Sequence, residues 1–174
     1  MLWVIFSISR GCEYVSQGLP KAYGAFRNVL IHLIHKEVAM RTKTTLSAAD
    51  AAKIVEACKV EAVKNSWLVS IAVTDEAGYL IHLERLDGAG LPSAEIATLK
   101  ARTAAIAKAP TKALEDVVKE RPAVGLMPNR LPVQGGVPII YNGECVGGIG
   151  VSGVKSHEDE MVAIAGREAL LTSL

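Results

Sequence analysis

The strongest short hairpin signal in the chain lies in VPIIYNGECVGGIGVSG, from Val137 to Gly153. Two apolar runs rich in β-branched residues flank Asn142-Gly143, and an Asn-Gly pair between such runs is a strong signal for a hairpin turn. We therefore predict one strand over Val137–Tyr141 and a second over Cys145–Ser152. Several glycines fall inside the second strand, where glycine usually marks the close approach of another backbone or of a ligand.

A second hairpin precedes this one in the chain. Leu68–Val73 is a β-rich run, Asp75–Gly78 supplies turn chemistry, and Tyr79–Leu83 returns as another apolar strand.

The glycine-rich residues 147–156 also invite interpretation as a phosphate-binding loop. A Walker motif needs lysine directly after its last glycine, however, and Val154 separates Gly153 from Lys155.

Four helices surround the two hairpins. Ser47 can cap the first, Ser93 the second, and Asp159 can serve as the N3 acid of the last. The predicted helices cover residues 47–65, 93–108, 111–121 and 156–170. The order α-β-β-α-α-β-β-α lacks the alternating crossovers of a parallel sheet, so it favours an α+β fold with an antiparallel sheet. Four prolines and three glycines in Arg121–Pro138 predict an irregular loop.

The composition excludes several classes of protein. Nineteen basic and eighteen acidic residues give a formal charge of +1, which argues against a broad electrostatic grip on nucleic acid. No apolar run approaches the roughly 18 to 20 residues that cross a bilayer. Three cysteines without a C-x-x-C pair indicate neither a disulfide framework nor a zinc site, so we expect a reducing, cytoplasmic location.

The first 39 residues differ from the rest in composition. Five of the eight aromatic residues lie before Met40. We therefore expect residues 1–39 to be an N-terminal extension and residues 40–174 to be the domain. The extension is either dispensable or a docking segment, since apolar residues recur at helical spacing within Ala25–Val38.

Candidate binding residues cluster directly after the predicted strand Tyr79–Leu83. Arg85 and Asp87 lie at a strand end, on the same side, and Gly88 lets the backbone turn away. Such a pair recognises a carboxylate or remains a structural ion pair. Lys100, on the next helix among small alanines, could reach the same ligand or pair within the fold.

Two histidines are candidate metal ligands. His82 lies in a strand between Ile81 and Leu83 and is expected to face away from both, toward solvent or toward a metal. His157 begins the last helix beside three acidic residues, which could hold a metal or simply favour the helix dipole.

Taken in order, several segments resemble the GlcG/HbpS-like domain, also found as the C-terminal part of PduO-type proteins. The resemblance covers residues 46–170 and rests on residues 69–75, 85–89, 93–104, 135–139, 146–153 and 158–159. It implies an antiparallel sheet of about five strands flanked by helices, assembled into symmetric homo-oligomers. It also implies haem binding in some members, with roles in haem sensing, storage or breakdown, and a corrinoid association in others.

Two functional hypotheses follow. The first is a haem-binding protein in which glycine-rich strands, at Gly136 and Gly148, admit a flat macrocycle and His82 or His157 ligates iron. The second is an enzyme or carrier for a small organic acid that uses Arg85, Asp87 and Lys100. A corrinoid-associated accessory role is a further alternative, and nothing in the sequence demonstrates catalysis.

Overall fold

The computed structural model describes residues 42–173, so the predicted extension and its docking segment lie outside the described residues. The helices are α1 (Ala48–Lys64), α2 (Ser93–Ala107), α3 (Thr111–Glu120) and α4 (Ser156–Thr172). The strands are β1 (Ser70–Asp75), β2 (Leu80–Arg85), β3 (Gly136–Tyr141) and β4 (Glu144–Ser152). A short 3-10 helix, Pro122–Leu126, follows α3 within the predicted irregular loop.

The strands form one antiparallel sheet in the order β2-β1-β4-β3. The predicted α+β class, the element order and both hairpins are therefore confirmed. The sheet of residues 42–173 has four strands rather than about five. The fifth strand was expected from the family resemblance alone, and no run of residues in the sequence predicted it.

The start of α1 is set by local chemistry. The Asp50 N–H donates to Ser47 Oγ (3.1 Å), and the Ser47 N–H donates to Asp50 Oδ2 (3.0 Å), which completes a capping box. The apolar stripe of α1 is buried: Ala51, Ile54, Val55, Cys58 and Ala62.

Two predicted helix starts were wrong in detail. Ser93 is the first residue of α2 and does not cap it, because its hydroxyl donates to the Gly90 carbonyl (2.6 Å). In α4 the N3 acid is Glu158, which accepts the Lys155 N–H (3.0 Å). Asp159 lies one residue further on and is buried.

The sheet has two unlike faces. Large apolar side chains on one face form the main core with α1 and α4, including Ile71, Val73, Ile139, Ile149 and Val151. The other face carries small residues, and Ala72 packs there against Ala97 and Ala101 of α2.

Glycines in β4 allow α2 to lie unusually close to the sheet. A Cβ on Gly148 would meet the Ala101 carbonyl and the Ala105 N–H, and one on Gly150 would meet the Ala97 carbonyl. The sequence predicted a close approach at these glycines but left open whether a backbone or a ligand made it. The structure shows that the backbone of α2 makes it.

No helix within residues 42–173 is long and apolar enough to cross a membrane.

Candidate functional site

One end of the sheet, which we call the helix-start end, collects most of the candidate residues. There β2 and β4 finish and lead into α2 and α4, and Ser70 of β1 pairs with Arg85 on one side and Ser152 on the other. Gly136 of β3 pairs with the adjacent Gly150. Most of the segments that carry the family resemblance converge here: residues 85–89, 93–100, 135–136, 152–153 and 158–159.

Lys100 is held inside this end by an ion pair. Its Nζ donates to Asp159 Oδ2 (2.8 Å) and to the Val151 carbonyl (3.0 Å), and Lys100 is only 2% exposed. The other carboxylate oxygen of Asp159 accepts the Val154 N–H (3.2 Å). Burial raises the pKa of the Asp159 carboxyl, and the Lys100 ammonium opposes that rise. The charge of Lys100, a predicted carboxylate binder, is thus balanced within the fold.

The predicted ligand glycines lie beneath helices. A Cβ on Gly136 would lie 2.6 Å from the Lys100 carbonyl oxygen, and Gly148 faces Ala101 in the same way. The Gly136 N–H donates to Thr111 Oγ1 (2.8 Å), whose hydroxyl donates back to the Gly136 carbonyl (3.2 Å). In this chain both glycines serve the packing of the helices on the sheet.

Arg85 and Asp87 are both exposed at the helix-start end. Arg85 Nη2 donates to the Ala89 carbonyl (3.1 Å), in the loop that leads into α2. Among the described residues Arg85 forms no ion pair, with Asp87 or with any other acid. Within residues 42–173, one of its five N–H donors has an acceptor, the Ala89 carbonyl.

Two polar residues of this end, Ser70 and Ser152, were not predicted from the sequence, and neither was the ion pair of Asp159 with Lys100. The Ser70 and Ser93 hydroxyls lie 2.8 Å apart, which ties β1 to the first turn of α2. Ser152 is 7% exposed on the same face of the sheet. A polar residue at the end of an otherwise apolar strand was the available signal, but only the strand register brings Ser70 and Ser152 together.

The two candidate histidines lie apart. His82 pairs with Val73 of the main core, and Ile81 packs on that core too, so the expected strict alternation was wrong. A β-bulge at this point shifts the register and explains the difference. His82 is half-buried and faces α1, whereas His157 is exposed on the first turn of α4. The described part of the chain holds no group of three or more His, Cys, Asp or Glu side chains that could bind a metal.

A small pocket lies near the start of α1, away from these groups. It holds about 60 Å³ and is lined by Thr44, Thr45, Leu46, Asp50, Tyr141, Val146 and Leu170. Pockets for drug-sized ligands hold roughly 300–1,000 Å³, so this one cannot enclose a porphyrin.

The two cysteines of the described region are free and buried. Burial raises the pKa of the Cys58 thiol to about 12. Burial also raises the pKa of Cys145, whose thiol donates to the Ala105 and Gly147 carbonyls (3.5 and 3.4 Å). Neither thiol has the lowered pKa of a nucleophile.

The fold and the helix-start end define a small α+β domain whose two hairpins share one sheet beneath an alanine-rich helix. Residues 46–168 match the family described as haem degrading protein HbpS-like. The chain belongs to this family.

Relatives cover most of the described region. Protein GlcG of Escherichia coli K12 is 42% identical over 114 residues, which span 65% of this chain and 85% of GlcG. A double mutant of HbpS from Streptomyces reticuli is 36% identical with a TM-score of 0.72, over 75% of this chain and 90% of HbpS. A complex of PduOC with haem is 27% identical with a TM-score of 0.68, over 72% of this chain and 95% of PduOC.

Proposed function

We propose that this protein binds haem. The observation that carries the proposal is the likeness to PduOC, which was solved as a haem complex and shares this fold at 27% identity. Membership of the HbpS-like family supports the same conclusion. We infer a role in holding haem for sensing, storage or breakdown, and a corrinoid is the second candidate ligand.

The described residues include two candidate iron ligands, His157 and His82. Histidine is a common axial ligand of haem iron. His157 is exposed, and Met161 and Ile164 follow it on the same exposed face of α4, with Met161 50% exposed. His82 is the alternative ligand, on the face of β2 that looks toward α1.

A surface-bound haem needs a second apolar surface to cover it, and another copy of this chain is the simplest source. Edge strand β2 and the outer side of α1 leave apolar side chains exposed: Val60, Val63, Tyr79, Leu80 and Leu83. Such residues are typical of surfaces that become covered on association. We therefore propose a homo-oligomer in which a haem lies between subunits. Bound haem would supply the redox and ligand-binding chemistry of its iron.

The experiment is a titration of the full chain with haemin, followed by the Soret band. We expect a saturable shift, which His157→Ala weakens more than His82→Ala does. Each variant is the control for the other, because the two histidines lie on different elements. Competition by cobalamin would favour the corrinoid alternative. Loss of the Soret band on adding peroxide to the complex, faster than for free haemin, would indicate breakdown rather than storage.

The compartment remains a prediction. We propose that the protein works in a reducing compartment such as the cytoplasm, which agrees with the free, buried cysteines Cys58 and Cys145.

A further inference from the structure

The two edges of the sheet differ in how open they are to another strand. At β3, the Val151 N–H donates to the Gly135 carbonyl, so Gly136 and Pro138 direct their backbone groups outward. Thr111 Oγ1 accepts the Gly136 N–H and donates to the Gly136 carbonyl (2.8 and 3.2 Å), and Pro138 has no N–H. A covered backbone and an outward proline both hinder the pairing of an edge strand with another chain. The β3 edge is therefore closed.

Edge strand β2 has no such protection among residues 42–173. The Leu86 N–H donates to the Val69 carbonyl, and the direction of the backbone groups alternates from there along the ladder of β2 with β1. Leu83 and Arg85 consequently direct their N–H and carbonyl groups away from β1, where the described residues supply no further strand. β2 contains no proline and no lysine, the residues that commonly block such an edge. The β2 edge is therefore open.

An acid and an imidazole lie beside the open edge on the α1 face of the sheet. Glu84 pairs with Ile71 and His82 pairs with Val73, and both partners belong to the main core beneath α1. The Glu84 side chain is 34% exposed, and its carboxylate accepts from Lys59 Nζ of α1 (2.9 Å). His82 is half-buried. Two side chains that can pair with each other thus lie two residues apart on one face of β2.

Exposed apolar side chains lie on both faces of the sheet at the same edge. Leu83 pairs with Ala72 on the α2 face and is 40% exposed. On the α1 face, Val63 lies one helical turn after Lys59 and is 69% exposed. A second strand on this edge would gain backbone hydrogen bonds, and the chain that carries it would cover apolar side chains on both faces.

The hydrogen-bonding pattern and the charges select one register for two copies of this strand. In an antiparallel pair, two facing residues either both exchange hydrogen bonds or both do not, so symmetric pairing centres its twofold axis on a single residue. An axis at Glu84 or Arg85 would set like charges against each other, and an axis at His82 would set two imidazoles together. An axis at Leu83 instead places each His82 opposite Glu84 of the partner subunit. An imidazole N–H can donate to a carboxylate.

We propose that β2 pairs with β2 of a second copy of this chain about a twofold axis at Leu83, so that two four-stranded sheets form one continuous sheet. The inference rests on the homo-oligomer of the proposed function, but it needs no haem. Helix α4, which carries His157, packs on β3 and β4 in the other half of the sheet and stays outside this interface. His82 lies within the interface, opposite Glu84, which leaves His157 as the histidine available to haem iron.

The first test measures self-association of the full chain without haemin, by sedimentation velocity over a series of protein concentrations. We expect His82→Glu to weaken association at least about tenfold, because two carboxylates then face each other across the interface. His82→Lys should leave association as strong as in the wild type, because lysine also pairs with a carboxylate. Arg121→Glu, at an exposed position outside β2, is the matched control and should change nothing. Thermal unfolding checks that each variant is folded.

The second test locates the axis with a short bis-maleimide that links cysteines. We expect Leu83→Cys to give a covalent dimer, since facing residues of an antiparallel pair lie about 5.5 Å apart. Leu80→Cys is the matched control: Leu80 is 48% exposed on the same strand, but pairing about Leu83 separates its two copies by roughly 20 Å. The wild type gives the background from the native cysteines.

The outcomes separate this interface from haem binding. Equal association in His82→Glu and the wild type, together with no Leu83→Cys dimer above background, would overturn the pairing of β2. A monomer that gives a saturable Soret shift with haemin would also overturn the pairing while leaving haem binding intact. Paired copies that give no Soret shift would support the pairing and contradict the haem part of the proposed function.

Discussion

At the scale of single residues, the buried ion pair of Lys100 and Asp159 dominates the helix-start end. Both side chains are almost completely buried and their charged atoms lie 2.8 Å apart. Taking one partner from a buried pair leaves an uncompensated charge, which costs more than the pair itself contributes. The pair joins α2 to α4 across the sheet and fixes their relative position.

Lys100→Met should therefore destabilise the protein by about 3–5 kcal/mol, since Asp159 loses its counter-charge in a buried site. The double variant Lys100→Met/Asp159→Leu should recover most of that loss. Urea unfolding measures both. Lys112→Met is the control, because Lys112 pairs with Asp116 on the surface and its loss should cost at most about 1 kcal/mol. Equal losses in Lys100→Met and in the control would contradict the buried pair.

Gly135 shows how tightly the backbone surrounds that pair. Its φ is +118°, and a Cβ there would lie 2.7 Å from Lys100 Nζ and 2.9 Å from the Asp159 Cβ. This position therefore requires glycine for two reasons: the positive φ disfavours other residues, and there is no room for a Cβ.

Cys58 gives the fold a dependence on alkaline pH. Its pKa is about 12 in the folded protein against an ordinary value of 9.0, so the unfolded chain loses this proton first. The contribution of the neutral Cys58 thiol to the free energy of unfolding is complete below pH 9. It is lost as the pH rises from 9 toward 12, by about 1.4 kcal/mol per pH unit. We expect the free energy of unfolding to fall less between pH 8 and pH 10 in Cys58→Ala than in the wild type. Identical pH dependence would show that Cys58 ionises freely.

At the scale of elements, the contact between α2 and β4 depends on the absence of side chains. Gly150→Ala would place a methyl group against the Ala97 carbonyl and the Ala101 N–H. The helix would have to lift from the sheet, at a cost of about 1–3 kcal/mol or more. The matched control is Gly90→Ala, because a Cβ on Gly90 would meet nothing within 4 Å. A Gly150→Ala protein as stable as the control would refute the close contact.

Local sequence sufficed to predict most elements because their signals are short-range. The Ser47 cap and the Asn142-Gly143 turn each depend on residues within a few positions of one another. The same local reasoning was wrong for Asp159. An acid near a helix start suggests a role in the helix dipole, and nothing nearby in sequence shows that its partner is Lys100, 59 residues away.

Strand register limited the prediction of the site. Arg85, Lys100 and Gly136 were singled out from the sequence and lie at the same end of the sheet, but Arg85 is on edge strand β2 and Gly136 is on the opposite edge strand, β3. Lys100 lies beside Gly136, and their role as a binding site stays a prediction. Ser70 and Ser152 were missed because only the pairing of β1 with β4 brings them together. His82 was misplaced because a bulge breaks the alternation on which its predicted direction depended.

At the scale of the whole molecule, the described chain combines a well-packed core with apolar residues left on its surface. The family likeness and the exposed groups of β2, α1 and α4 together favour a haem that lies between copies of the chain. A monomer would leave both the haem and these surfaces in water. The proposal therefore links haem binding with assembly.

The most direct test is a haemin titration of the full chain, read simultaneously by absorbance and by light scattering after size exclusion. We predict a saturable Soret shift on an oligomeric species and a weaker shift in His157→Ala. A flat titration on a folded, oligomeric protein would contradict haem binding. A full shift on a monomer would instead contradict the shared, intersubunit site.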